Sequence, residues 1–356
     1  MKKMNKTSKN NFITYAMVIV IFAVVQTLSA TGNLSRLLTG LLVPLCVYII
    51  AAVSLNLVVG FSGELSLGHA GFMCLGAYSS ALFSQVVGDS MASVPRLILA
   101  ILVGAAVAGV FGILIGIPVL RLRGDYLAIV TLAFGEIIKN LINILYVGVD
   151  ENGIHAATSS ANLKLAAGGK QIMKGALGIS GTSTLYKDIK DNFFLIGVIL
   201  ILITLFIVQN LVHSRSGRAI MAARDNRIAA ESIGIDVTKY KLLAFTVSAA
   251  LAGVAGVLYA HNLSMLKVSI FDYNMSIMIL VYVVLGGIGS LRGSIIATII
   301  LYALPELLRG FSTYRMLIYA IVLIAMMLFN WAPAARNWRS RVIEKIKGNR
   351  TKKEAA

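Results

Sequence analysis

Long, uninterrupted blocks of apolar residues limit the folds that this chain can adopt more than any other feature of its sequence. An α-helix rises about 1.5 Å per residue, so roughly 20 residues cross the 30 Å hydrocarbon layer of a membrane. Many blocks have that length. Of the 356 residues, 58% are apolar and only 13% are charged, whereas a soluble domain carries roughly 25% charged residues. The sequence therefore predicts an all-α integral membrane protein.

The apolar blocks predict about ten transmembrane helices. Glycines interrupt the third block, at Gly60, Gly63, Gly68 and Gly71, and the eighth and ninth blocks, between residues 286 and 293. Each glycine in a helix costs roughly 1 kcal/mol relative to alanine, so one or two helices are expected to be broken. The predicted spans are residues 12–30, 37–60, 64–87, 96–118, 124–148, 192–212, 240–262, 273–290, 291–309 and 314–331.

The basic residues predict the orientation of these helices. If the N-terminus lies inside, the outer loops receive few basic residues apart from those of one long loop, namely Arg36, Arg96, Lys267, Arg309 and Arg315. This asymmetry follows the positive-inside rule and predicts an N-in and C-in protein. The net charge of +17 is thereby explained by topology, and no nucleic-acid partner is expected. The cytoplasmic basic residues would be Lys2, Lys3, Lys6, Lys9, Arg121, Arg123, Arg215, Arg218, Arg224, Arg227, Lys239, Lys241 and Arg292, with eight more after residue 335.

The chain is predicted to consist of a transmembrane domain, residues 1–335, and a basic cytoplasmic tail, residues 336–356, that is attracted to membrane lipid. Two long polar stretches interrupt the apolar blocks. Residues 149–191 would be external, and their Gly, Ser, Thr, Asn and Lys content is typical of an irregular loop. This loop is interpreted either as a solvated connector or as a lid or docking surface for an external partner. Residues 213–239 would lie on the opposite, cytoplasmic side.

The predicted cytoplasmic stretch 213–239, here named the Arg-rich segment, combines arginines with small residues. Its alanines, a candidate N-cap at Ser216 and a stop at Gly234 predict a short helix. Small residues permit close backbone approach and charged residues add specificity, as a docking surface for a second protein requires. On composition alone, a solvated loop fits equally well.

Four segments of the sequence resemble the permeases of branched-chain amino-acid ABC importers, and in particular their M-type subunit. Residues 54–78, 121–138 and 281–293 are similar to family hallmarks. Residues 229–234, with Ala-Ala-Glu at the start and Gly at the end, resemble the coupling loop that sits in a cleft of the ATP-hydrolysing subunit. The resemblance implies ATPase contacts by Arg218, Arg224, Asp225, Arg227 and Glu231, and close packing by Ala229, Ala230 and Gly234.

The resemblance also implies the partners of the chain. It would be a non-catalytic subunit in the bacterial cytoplasmic (inner) membrane, together with a homologous second permease subunit, two ABC ATPase subunits and an extracytoplasmic solute-binding protein. ATP and Mg would bind the ATPase subunits and no cofactor would bind this chain, which has no G-x-x-x-x-G-K-[ST] phosphate loop. Its four histidines lack metal-ligand spacing, so no metal site is predicted.

The resemblance implies leucine, isoleucine or valine as the solute. Residues 149–191 depart from the family pattern, because they are longer, rich in Lys and free of Pro. Urea, amides and other small solutes therefore remain alternatives. A stand-alone channel or ion-coupled carrier is the alternative from another class.

Polar side chains within the apolar blocks are candidates for the substrate pathway, since an ionised one costs about 2.5–3.5 kcal/mol at the bilayer centre. Glu136 and Lys139 either neutralise each other or line the pathway. The glycines around Glu64 either permit tight helix packing or break the helix, and the N-terminus of a half-helix favours a carboxylate. The candidate pathway residues are Asn56, Glu64, Ser66, His69, Glu136, Lys139, Asn140 and Asn143.

Overall fold

Helices form most of the chain in a computed structural model, which describes residues 6–31, 36–122, 124–150, 153–163, 165, 169–308 and 314–331. A helix lies in each of the ten predicted intervals, and two short helices lie in the Arg-rich segment. The predicted helical membrane fold is confirmed. The helices are α1 (Lys6–Ala30), α2 (Arg36–Asn56), α3 (His69–Val87), α4 (Ser93–Val119), α5 (Asp125–Asn143), α6 (Phe193–His213), α7 (Arg215–Asp225), α8 (Arg227–Ser232), α9 (Val237–Asn262), α10 (Tyr273–Gly286), α11 (Leu291–Leu307) and α12 (Arg315–Trp331).

Six helical stretches among the described residues are long and apolar enough to cross a membrane. The helices α1, α5, α11 and α12 are not among these six, so the count of ten crossings stays a prediction. The described residues up to Thr298 form one compact unit, and those from Ile299 onward form a second. The predicted tail 336–356 lies outside the described residues, as do Lys2, Lys3, Arg123 and Arg309. The six stretches are Leu38–Ser62, His69–Val87, Ser93–Val119, Ser183–His213, Val237–Asn262 and Val268–Gly286.

The helix predicted to be broken around Gly60 and Gly63 is interrupted in the structure. Helix α2 passes into a π-helix, Leu57–Ser62, which ends at Gly63 with φ +74°. A side chain rarely adopts this left-handed conformation, so a glycine is favoured there. Residues 63–68 are irregular, and α3 then starts at His69. Residues 57–68 are named the helix break.

The prediction that residues 149–191 form an irregular loop is wrong in part, because 14 of these 43 residues belong to a small antiparallel sheet. Its five strands lie side by side in the order 153–157, 146–150, 170–174, 179–180 and 265–266. The side chains of Val147, Met173, Ile179 and Leu266 are buried. Strands of two to five residues are too short for their alternation to stand out in the sequence. The strands are β1 (Tyr146–Asp150), β2 (Gly153–Ala157), β3 (Lys170–Lys174), β4 (Ile179–Ser180) and β5 (Met265–Leu266).

The sheet also changes the boundary of the fifth predicted span, 124–148. Helix α5 ends at Asn143, and the chain continues as strand β1 from Tyr146. The last strand, β5, comes from the connection between α9 and α10, so two distant parts of the sequence complete one sheet. The phenolic hydroxyl of Tyr78 in α3 donates a hydrogen bond of 3.0 Å to the carbonyl of Leu266 in β5, which attaches the sheet to the helices.

Arg96, which is predicted to lie in an outer loop, is instead buried in the first turn of α4, with 2% of its surface exposed. Its guanidinium donates to the carbonyls of Gly88 and Leu185 and lies 4.7 Å from the ring centroid of Tyr186. The hydroxyl of Ser84 is 2.8 Å from the Tyr186 hydroxyl and 2.9 Å from His261 Nε2. These contacts join residues 183–192 to α3, α4 and α9.

Three glycines from three helices meet in the interior and allow α3, α4 and α9 to approach closely. A Cβ at Gly76 would lie 2.3 Å from the carbonyl oxygen of Gly253, and one at Gly253 would lie 2.7 Å from the carbonyl oxygen of Gly104. Helices in membranes use small residues in this way, because packing and not the hydrophobic effect holds them together.

We expect Gly76→Ala to destabilise the protein by about 1–3 kcal/mol, since the added methyl group overpacks a contact between two backbones. The measurement is the midpoint of thermal unfolding in detergent. Gly40→Ala is the matched control, because a Cβ at Gly40 meets no atom within 4 Å. A Gly76→Ala midpoint equal to that of Gly40→Ala would contradict this account of the packing.

Candidate functional site

The Arg-rich segment forms two short helices and the start of a third, each with a side-chain cap. The predicted N-cap at Ser216 is wrong by two residues, since Ser214 fills this role for α7. Side-chain oxygens at the N-cap satisfy backbone N–H groups that have no partner inside the helix. The caps are Ser214, which accepts from the N–H of Gly217 at 3.1 Å, Asn226, which accepts from Ala229 at 3.0 Å, and Asp236, which accepts from Lys239 at 3.1 Å.

A small apolar core holds the Arg-rich segment together. Ala223, Ala230 and Val237 are buried against one another, with Ile235 packed beside them. Ala230, which the family resemblance places against an ATPase subunit, therefore packs within its own segment, whereas Ala229 is exposed.

Gly234 ends the Arg-rich helices, as the sequence predicts. Its φ is +84°, and a Cβ at this position would meet no atom within 4 Å. The structure therefore requires Gly234 for its left-handed conformation, and its surroundings within the chain are open.

The charged side chains of the Arg-rich segment are exposed and partly paired with one another. Arg218 donates to the carbonyl of His213 at 3.2 Å, and Arg227 Nε lies 2.8 Å from a carboxylate oxygen of Glu231. Exposed pairs of this kind contribute about 0–1 kcal/mol to stability. They are therefore available to contact a partner at little cost to the fold.

Two isoleucines of this segment are the most exposed large apolar side chains among the described residues, and the sequence reasoning missed them. Ile228 is 80% exposed and Ile233 is 75% exposed. Helical periodicity gives no signal for them, because the buried Ala223, Ala230 and Val237 lie in three separate helices. Exposed apolar side chains in a charged segment are typical of a protein-binding surface.

The Arg-rich segment is bonded directly to the helix break. Arg224 Nη1 donates to the carbonyl of Gly60 at 2.9 Å, and the Arg224 side chain covers Gly63. The ammonium of Lys241, in α9, forms an ion pair with Glu64, and each of these side chains is 13% exposed. Glu64, a predicted pathway residue, is thus placed beside the Arg-rich segment.

Asn56 links the helix break to residues 287–290, named the glycine turn, which connect α10 and α11. Its side chain is fully buried. The Oδ1 atom accepts from the N–H of Gly289 at 2.9 Å, and Nδ2 donates to the hydroxyl of Ser294 at 2.9 Å. Asn56, a predicted pathway residue, therefore has the position of an interhelical link.

Side chains from neighbouring helices bond to the chain on the far side of the break. Thr131 Oγ1 in α5 accepts from the N–H of Leu67 at 3.0 Å, and the hydroxyl of Ser276 in α10 accepts from the N–H of Ala70 at 3.0 Å. His69 Nε2 lies 2.8 Å from the hydroxyl of Ser54. His69 and Ser66, both predicted pathway residues, are buried.

The start of α3 and the polar stripe of α5 border one small cavity. Its volume of about 10 Å³ corresponds to roughly one water molecule. Glu136 lines it and lies 2.5 Å from Lys139 Nζ; both side chains are partly exposed. Asn140 is exposed and Asn143 is half-buried. The structure thus brings together two of the predicted parts of the substrate pathway, namely the helix break and the part of α5 that carries Glu136.

Asp272 is a further carboxylate at this cavity that the sequence reasoning missed. It is the N-cap of α10 and accepts from the N–H of Met275 at 2.9 Å. An Asp immediately before an apolar helical run is a recognisable N-cap signal. Within the described residues, no group of three or more His, Cys, Asp or Glu side chains could hold a metal ion.

The apolar helices, the interrupted helix and the compact segment bonded to it define a multi-pass membrane permease of the inner membrane. Residues 37–329 match the family model described as the permease component of the branched-chain amino acid transport system. The chain belongs to this family, whose members are non-catalytic transport subunits.

Several curated proteins are similar to the chain. It is 38% identical over 314 residues to the high-affinity branched-chain amino acid transport system permease protein LivM of Salmonella typhimurium and to that of Escherichia coli, covering 87% of this chain and 72% of each relative. It is 26% identical over 320 residues to the ribose import permease protein RbsC of Escherichia coli, covering 87% of this chain and 90% of the relative. No solved structure matches the chain.

We expect Lys241→Met to destabilise the protein by about 1–3 kcal/mol, since it leaves the mostly buried carboxylate of Glu64 without its charged partner. Glu64→Gln combined with Lys241→Met should recover part of this loss. Thermal unfolding in detergent measures both. Arg227→Gln, which removes one partner of an exposed pair, is the control and should cost well under about 1 kcal/mol. Equal losses for Lys241→Met and Arg227→Gln would refute the role of the Glu64 pair.

Proposed function

We propose that the chain is the permease subunit of an ATP-driven importer that carries branched-chain amino acids across the bacterial cytoplasmic membrane. The family membership and the branched-chain amino acid transport of the similar permeases support this proposal. The structural observation that carries it is the Arg-rich segment, a self-packed unit that exposes two isoleucines and several charges and is bonded to a broken transmembrane helix. A segment of this kind can receive force from a separate protein.

The proposed topology has ten crossings with both termini inside. The positive-inside distribution of Lys and Arg supports it, as do the helices found in all ten predicted intervals. In this topology the Arg-rich segment, the π-helix and the glycine turn all lie on the cytoplasmic side. The sheet, formed by strands within residues 146–180 and by residues 265–266, lies on the external side, where a solute-binding protein would dock.

Two ATPase subunits, which bind ATP and Mg, are the proposed partners of the Arg-rich segment. Ile228 and Ile233 serve as the apolar anchors in a cleft of the ATPase, and Arg218, Arg227 and Glu231 surround them with charge. Interfaces commonly take most of their affinity from a few buried side chains inside a polar rim. The exposed isoleucines and the exposed charges fit that arrangement.

The proposed substrate pathway passes Glu136 and Lys139. The cavity there is too small for an amino acid, and the two charged side chains are partly exposed, so a homologous second permease would complete the site. A carboxylate and an ammonium on one helical face complement the two charges of an amino-acid zwitterion. Lys139 would receive the carboxylate of the solute and Glu136 its ammonium.

The experiment that tests the proposed function is reconstitution of the chain in liposomes with the second permease, the ATPase subunits and the solute-binding protein of the proposed importer. ATP inside the liposomes should drive uptake of leucine, isoleucine or valine, and uptake should cease when the ATPase is omitted. Uptake of these solutes by this chain alone would favour a stand-alone carrier and contradict the proposal. ATP-driven uptake of urea or an amide, without uptake of these amino acids, would show that the proposed identity of the solute is wrong.

We expect the double substitution Ile228→Ser and Ile233→Ser to weaken co-purification of the ATPase subunits. Loss of one interface anchor typically costs about 2 kcal/mol, roughly 30-fold in affinity. Ile154→Ser is the matched control. This isoleucine is 64% exposed in β2, which lies on the external side of the membrane in the proposed topology. Unchanged co-purification of the double variant would rule out the two isoleucines as anchors.

We expect Glu136→Gln to lower solute uptake by the assembled importer roughly tenfold, the effect of losing about 1.4 kcal/mol of interaction with the solute ammonium. ATPase co-purification should not change, because Glu136 lies away from the Arg-rich segment. Asp125→Asn, in the first turn of the same helix, is the control. Wild-type uptake by Glu136→Gln would remove this residue from the pathway.

A further inference from the structure

Arg224 differs from the other arginines of the Arg-rich segment in the partner that it reaches. Arg218 bonds to the carbonyl of His213 in the adjoining turn, and Arg227 pairs with Glu231 in its own helix. Arg224 instead donates to a carbonyl of the helix break, 164 residues away in sequence. Arg224 therefore bonds the Arg-rich segment directly to the interrupted transmembrane helix.

The guanidinium of Arg224 is held in one orientation by its neighbour Asp225. Nε and Nη2 donate to the same carboxylate oxygen at 2.9 and 2.8 Å, and Nη1 is left to donate to Gly60. A planar guanidinium can serve a carboxylate and a carbonyl at once, whereas a lysine ammonium lacks this fixed fork. The Arg224 side chain therefore links the orientation of α7 to the position of the Gly60 carbonyl.

Gly60 in turn is in close contact with the next link. A Cβ at Gly60 would lie 1.9 Å from Asn56 Oδ1 and 2.4 Å from the backbone nitrogen of Gly289. Asn56 bonds both to Gly289 in the glycine turn and to Ser294 in α11. Because these groups touch and leave no space between them, a displacement of Gly60 displaces the glycine turn as well.

We propose that Arg224 is a positioning residue for transport, which passes movement of α7 through Gly60 and Asn56 to the glycine turn between α10 and α11. This inference rests on the proposed function, since it takes an ATPase subunit as the source of the movement. It assigns to Arg224 a role different from the ATPase contact that the family resemblance implies. Arg224 transmits force within the permease, and the exposed isoleucines hold the partner.

The test compares Arg224→Gln with Arg215→Gln in the full transporter reconstituted with its ATPase and binding protein. Arg215 is an exposed arginine at the start of the same helix. Three quantities are measured: ATPase co-purification, ATP hydrolysis and the solute imported per ATP hydrolysed. For Arg224→Gln we expect unchanged co-purification, continued hydrolysis and a fall of about tenfold in the solute imported per ATP hydrolysed, which corresponds to about 1.4 kcal/mol. Arg215→Gln should match the wild type in all three.

A second variant separates transmission from loss of structure. Ser294→Ala removes one hydrogen bond of Asn56 at the far end of the path and should also lower the solute imported per ATP. Combined with Arg224→Gln it should cause little further loss, because the path is already interrupted, whereas independent defects would multiply.

Three results would contradict the inference. An unchanged solute-to-ATP ratio in Arg224→Gln would overturn it alone and leave the proposed function intact. Loss of ATPase co-purification in Arg224→Gln would make Arg224 a docking contact instead of a transmitting one. Absence of ATP-driven uptake in the wild-type complex would overturn the proposed function and this inference with it.

Discussion

The backbone of the helix break has to find hydrogen-bond partners inside an apolar protein, and much of the structure follows from that requirement. An interrupted helix leaves peptide groups without partners inside the helix, and those that are buried away from water need partners elsewhere in the protein. Here side chains from three helices supply partners: Arg224 for the carbonyl of Gly60, Thr131 for the N–H of Leu67 and Ser276 for the N–H of Ala70. The break and the first turn of α3 are therefore bonded to α5, α7 and α10.

In the proposed mechanism, the same contacts give the interrupted helix a mechanical function. A continuous helix would satisfy its own backbone and need no bond to the Arg-rich segment. The break requires that bond. In the proposed mechanism, movement of the Arg-rich segment therefore displaces the backbone where α2, α3 and the glycine turn meet. The small cavity beside Glu136 borders the start of α3, which brings the proposed substrate pathway next to the moving part. The proposed docking surface thus contacts one end of the helix break, at Gly60 and Gly63, and the proposed pathway borders the other end, at Leu67.

The sequence predicts the elements that depend on strong local signals. Apolar blocks locate the helices, and the glycines at 60 and 63 locate the break, because composition and backbone freedom act within a few residues. It does not predict what depends on distant partners. The sheet needs residues 265–266 to complete it, and the burial of Arg96 depends on Tyr186 and on carbonyls far along the chain. The partners of Asn56, Glu64 and Arg224 likewise come from helices remote in sequence.

The central claim is that the Arg-rich segment faces the cell interior and is held there by a separate ATPase. Cysteine labelling in cells tests it most directly, in a background where the buried Cys46 and Cys74 are replaced by Ala. The account predicts that Ile233→Cys reacts with a membrane-impermeant thiol reagent only after the membrane is opened, and that co-expressed ATPase protects it. Labelling in intact cells, or labelling that the ATPase does not diminish, would contradict the account.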